Sequence, residues 1–233
     1  RKCLSTLFGK AMTRPVLKPR SDAAEHLKAV ALRLFAERGP DGVTVRQIAE
    51  HAGQKNHAAV GYHFGSKEAL IRELIIDGAR AMDVRRCTWL DACEAANGPH
   101  SVHEVVEGMI RTSIDPDLAP GDESFNRFVL LLGLSQRAFF MDALEGRWNV
   151  GYQRCLDHLR RLMPDMPAAQ KNQRFVFLGA TLGALLSARE AELADRSRPH
   201  PMWQADATLA HAAQAVAAML EAPVMGRASG GQA

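Results

Sequence analysis

A polar quartet, Gln54-Lys55-Asn56-His57, precedes the run Ala58-Ala59-Val60-Gly61-Tyr62-His63-Phe64. The quartet offers amide, ammonium and imidazole groups, and the run begins with small side chains. A helix entering a DNA major groove needs this combination near its N-terminus: hydrogen-bonding groups must reach the base edges while small neighbours let the backbone approach. The Tyr62 hydroxyl could meet a phosphate or could simply end an apolar stripe. Gly65-Ser66 opens a further helix, whose free amides and partial positive charge favour phosphate, and Lys67 adds a full charge there. Bond-making chemistry lacks its parts. The sequence holds no GxSxG, no phosphate-binding GxxxxGK motif, no GxGxxG after a strand and no Cys/His cluster at metal-binding spacing. No catalytic residue, metal ligand or cofactor is expected, and the chain reads as a non-enzyme.

The elements that must position these groups are helices. After Ser21-Asp22, residues Leu27, Val30, Ala31, Leu34 and Phe35 recur at helical spacing, with Asp22 and Glu25 spaced as a capping box. Gly39-Pro40 should stop that helix. Thr44 and Gln47 form a second capping-box pair, opening a short helix through about Ala52 that Gly53 ends. Ala58–Phe64 is too short to be stable alone and must lean on its neighbours. Leu70, Ile71, Leu74 and Ile75 share one face of the helix that follows.

Charge is divided to match. Residues 1–67 hold 12 Lys+Arg against 5 Asp+Glu, and the remainder holds 17 against 21, within a net formal charge of +3. A basic end of this kind suits phosphate binding, which gains free energy by releasing condensed counterions. Residues 1–20 carry bases, two prolines and no acid, and read as a flexible basic arm. Four cysteines without CxxC spacing suggest free thiols in a reducing compartment. No apolar run approaches the roughly 18 to 20 residues of a membrane span, and the first residues lack a signal-peptide core. A cytoplasmic protein with no membrane partner is therefore expected.

The segments TVRQIAEHAG and AAVGYHFGSKEAL together resemble the DNA-binding segment of the TetR family of bacterial helix-turn-helix transcriptional regulators, over roughly residues 25–75. The resemblance implies that Thr44 and Arg46 meet phosphates or bases from a supporting helix. It implies that Lys55, Asn56, His57 and Ala58 face the groove, Tyr62 and His63 the DNA backbone, and Lys67 a phosphate. Eight residues separate Gly53 from Tyr62, one more than the common family pattern, and Gly61 stands where many relatives carry an aromatic.

Beyond residue 75 the chain continues as helices, expected at 66–96, 101–114, 124–140, 142–163, 168–195 and 202–221, with Pro- and Gly-rich breaks between them. Trp89, Met109, Phe125, Phe128, Leu132, Phe139 and Trp148 could line an apolar ligand cavity or could be plain core. Phe175, Leu178, Leu182 and Leu186, and then Leu209, Val216 and Leu220, make two apolar stripes that could pair with a second copy as a four-helix interface. Periodicity equally allows both stripes to be buried within one chain.

The expected fold is thus all-α. A basic arm (1–20) leads into a three-helix helix-turn-helix DNA-binding domain (21–75), joined to a larger helical ligand-binding and dimerisation domain (76–222) and a disordered tail (223–233). The expected function is a ligand-responsive regulator, a repressor by family default. It would bind a palindromic double-stranded operator as a homodimer and be released by an unidentified small apolar or amphipathic effector. The rival from another class is a helical ligand-binding or adaptor protein with no specific DNA readout.

Overall fold

A computed structural model of the chain describes residues 21–224, which are helical with no strand among them. The arm expected over 1–20 and the tail from 225 onward lie outside the described residues. Helix α1 (Asp22–Arg38) is capped by Ser21, whose hydroxyl accepts from the Ala24 amide, so the cap sits one residue before the expected Asp22. Gly39 ends α1 at φ 72°, a backbone state that costs glycine little. Thr44 and Gln47 form the expected reciprocal box at the start of α2 (Val45–His51). After α3 (Ala59–Phe64), the Ser66 hydroxyl caps the 29-residue α4 (Lys67–Ala95) through the Ala69 amide.

The body adds α5 (Val102–Thr112), α6 (Phe125–Ser135), α7 (Arg137–Leu144), α8 (Val150–Leu162), α9 (Ala168–Ala194), α10 (Pro201–Gln204) and α11 (Asp206–Glu221). Three boundaries differ from the sequence expectation. The helix expected over 124–140 breaks at Gln136 (φ −137°, ψ 48°), which separates α6 from α7. The one expected over 142–163 begins only at Val150, because Glu145, Gly146 and Trp148 all take positive φ. The last splits at Ala205, whose extended backbone caps α11.

Two apolar cores hold these helices. The first gathers α1 to α3 and the first half of α4 with Phe128, Leu132 and Ala143 from α6 and α7. Its centre is a ring pair, Phe35 and Phe128, with centroids 6.0 Å apart. The second lies under the far half of α4 and joins α5, α8, α9 and α11.

All seven residues of the two stripes, Phe175, Leu178, Leu182, Leu186, Leu209, Val216 and Leu220, are buried in the second core of a single chain. Large side chains turn inward because α9 and α11 must close this core themselves. The outward face of α9 carries Val176, Phe177, Ala180, Ala184 and Ala188 instead, with Val176 70% and Phe177 54% exposed. Among the described residues no helix is long and apolar enough to cross a membrane.

Candidate nucleic-acid interface

Buried anchors fix the short helix that the sequence singles out. Ala59, Val60 and Phe64 sink into the first core, while Ile48 does the same for α2, where Ala49 is also buried. Their period leaves the other faces to solvent. Thr44, Arg46, Lys55, Asn56, His57, Ala58 and Tyr62 are all exposed, and Tyr62 reaches 84% exposure. A large aromatic held that far into solvent by a rigid helix contributes nothing to the core. Among the described residues its ring packs edge to face with that of His63, 4.9 Å away between centroids.

The polar groups are less free than the sequence suggests. Arg46 donates through Nε to Glu50 one turn on, at 2.8 Å. The pairing holds the Glu50 carboxyl below its ordinary range and raises Arg46. The signal for it is the i, i+4 spacing, which places such a pair side by side on a helix. Asn56 Oδ1 accepts from the Ala58 amide at 2.9 Å, so this side chain shapes the turn into α3. His51 contacts the Gln47 carbonyl through Nδ1 at 2.8 Å.

Two expected contact residues sit further in. His63 is half-buried, and Lys67 lies half-buried with its ammonium 6.0 Å above the Phe35 ring. Beside Lys67, the α4 N-terminus already has an anionic occupant, for the Glu68 carboxyl is lowered by its own backbone amide and by Ser66. Gly61 opens onto empty space: a β-carbon there would touch nothing within 4 Å.

The residues expected around a ligand do not converge. Met109, Phe128 and Leu132 are fully buried in the two cores. Trp89 lies flat against Gly108, where a β-carbon would collide with its indole. Phe139 sits under the Arg72 guanidinium at 4.9 Å, and Trp148 stands between Arg80 and Arg147 at 5.7 and 5.9 Å. Of the seven, Phe125 lines a cavity of about 330 Å³ where α1, α4 and α6 meet. A wider groove of about 570 Å³ at the far end of α4 and α8 is polar. Its charges satisfy one another: Arg154 pairs with Asp91 and Glu94, and His158 bridges Glu94 and Arg161.

The family model described as bacterial regulatory proteins, tetR family, matches residues 27–74, the span of α1 to α3 and the start of α4. Over that span the head of the chain is similar to the TetR family. The HTH-type transcriptional repressor AcnR of Corynebacterium glutamicum is 32% identical over 149 residues, which cover 62% of this chain and 65% of that protein. The protein of the same name from Corynebacterium efficiens is 42% identical over 65 residues, 28% of this chain and 34% of that one. The chain thus spans less than two thirds of the length of either curated relative. Among solved structures, superantigen PfiT shares the fold at 18% identity, with a TM-score of 0.53 over 88% of this chain and 98% of that one. Among the described residues the chain is all-helical, with a TetR-like helix-turn-helix head followed by a larger helical body.

Proposed function

We propose that the chain is a ligand-responsive transcriptional repressor that binds a palindromic DNA operator as a homodimer and is released by a small effector. One observation carries the reading. The family-matched head projects Arg46, Lys55, Asn56, His57 and Tyr62 into solvent from a frame whose other face is wholly buried. In this reading the donors of the turn and the N-terminus of α3 meet base edges, while Thr44, Arg46, Tyr62 and Lys67 meet phosphates. Arg46 would exchange Glu50 for a phosphate, and Lys67 would swing out from Phe35. The head ends near residue 75, and the sensing and dimerising body shares α4 with it.

A second copy would cover the outward face of α9, with Val176 and Phe177 at its centre and alanines that allow close approach along it. A two-fold axis through that face puts the same patch on both partners and makes a two-fold operator the matching DNA. Fluorescence anisotropy against duplex from upstream of the chain's own gene, beside a scrambled duplex and at two salt concentrations, tests the reading. The regulator requires selectivity of about 10³ or more. Equal, salt-steep binding to both duplexes would overturn operator recognition, and no binding at all would favour the adaptor.

A further inference from the structure

The cavity at the junction of α1, α4 and α6 has a charge imbalance that its own residues leave uncorrected. Five carboxylates face it: Glu25, Asp77, Asp115, Glu123 and Glu190. Three cations answer them. Lys28 is shared among Asp77, Glu25 and Glu73, Arg85 holds Asp115 at 3.1 Å, and Arg189, behind the wall, holds Glu123.

Glu190 has no cation among the described residues. It is 2% exposed, and among the described residues its oxygens accept from the Asn126 amide at 3.0 Å, the Asn126 side chain at 2.8 Å and the Arg127 amide at 2.8 Å. Burial of an unpaired carboxylate is costly, and it pushes the Glu190 carboxyl above its ordinary range despite these donors.

Much of the rest of the wall is apolar, with Ser113, Ser124 and Asn126 as its neutral polar groups. Leu32, Leu74 and Leu118 line it, and the Phe125 ring lies in a notch at Gly78, where a β-carbon would overlap it. An aromatic face beside excess carboxylate attracts cations from both sides. Lys28 and Arg85 are already engaged, so an anionic ligand would find no free partner here and would meet Glu190.

We propose that this cavity is the effector site of the chain and that it takes a small amphipathic organic cation, its ammonium toward Glu190 and Phe125 and its apolar part against the leucines. The volume sits at the low end for ligand pockets, which favours a compact amine. Coupling to the head follows from the walls. Leu32 and Lys28 belong to α1, Asp77 to α4 and Phe125 to α6. A cation bound in the same cavity would add positive charge near Lys28, weaken its hold on Asp77 and so loosen the strap between α1 and α4. Such coupling requires the ligand to bind the two head positions with different affinity.

The proposal rests on the regulator reading for its consequence but not for its binding step, so the two are measured apart. Calorimetry on the full chain would compare 2-phenylethylamine, 2-phenylethanol and 3-phenylpropionate, which share a ring and differ in charge. The amine should bind about 10-fold or more tightly than the alcohol, as expected for a hydrogen bond to a charged group, and the carboxylate should not bind. Glu190→Gln should bring amine and alcohol to within about 2-fold of each other. Because Glu190 also holds the start of α6, Leu118→Trp serves as a second variant that fills the cavity from an exposed loop. It should abolish amine binding with the helix content unchanged.

Tighter binding of the carboxylate, or amine binding that survives Leu118→Trp, would overturn the site. If the amine binds as described but leaves operator anisotropy unchanged, its role as effector is overturned while the binding site stands. If the amine does not bind yet the chain selects its operator, the cavity inference fails and the regulator reading survives.

Discussion

The two apolar cores do different work, although they share α4. The first surrounds Phe35 and Phe128 and reaches from α1 across to α7. It fixes the exposed groups of α2 and α3, yet it borrows α6 and α7 from the body. The second, around Leu90, Met109 and Leu178, faces α9 and α11. Buried charge collects along the seam between them. Asp83 accepts from the Gly151 amide at 2.8 Å, Arg86 donates to Thr112 and Ser113, and Glu190 reaches from α9 to α6. Polar groups buried in this way are satisfied only when the helices keep their register. The division by packing thus differs from the division by sequence similarity, because α6 and α7 pack with the matched head.

The comparison can be broken most forcefully at its centres. Phe35→Ala should cost about 3–5 kcal/mol, as for large-to-small changes of buried aromatics. Urea unfolding would measure it, and DNA binding should fail before helicity does. Met109→Ala, in the second core, should cost about 2–5 kcal/mol but leave operator affinity intact wherever the chain is still folded. Equal loss of DNA binding in both variants would show that the cores act as one.

Phe177→Glu, on the outward face of α9, should convert a dimer to a monomer in sedimentation while the helix content stays unchanged. A change in folding rather than assembly would place that face inside the chain's own packing. Within the head, Lys67→Ala should weaken binding to all duplexes alike and reduce the salt slope by about 1. Asn56→Ala should instead change which sequence is preferred. The smallest effect belongs to Gly61→Ala, which should stabilise α3 by about 0.5–1 kcal/mol, since the site is open and helical.

The head was legible in the sequence because its boundaries are chemical. Thr44 with Gln47, Ser66, Gly39 and Gly53 are residues whose side chain or backbone freedom dictates a helix end. In the body the Pro- and Gly-rich breaks are marked too, but two others are not. Gln136 breaks the helical run with neither glycine nor proline at the break itself, and Trp148 takes a positive φ that its side chain gives no reason to expect.

The outward face of α9 escaped for a related reason. Leucines dominate any reading by periodicity, and here they belong to the inner side. Most of the expected cavity residues turned out to be packing residues for the same cause, while the cavity that does exist is marked by charges. Lys28, Glu123 and Glu190 look solvated in sequence, and only the fold brings them together.

Helix α4 passes through both cores without a break. At 29 residues it is a rod of about 43 Å. A rod gripped at one end is a lever. Under the proposed reading, a tilt of about 5° at the body end would move the head end by roughly 4 Å over that length, close to the roughly 3.4 Å rise of one base-pair step. In a two-fold assembly both arms would swing, so a body displacement small enough to leave every helix intact would suffice to put two reading heads out of step with their half-sites.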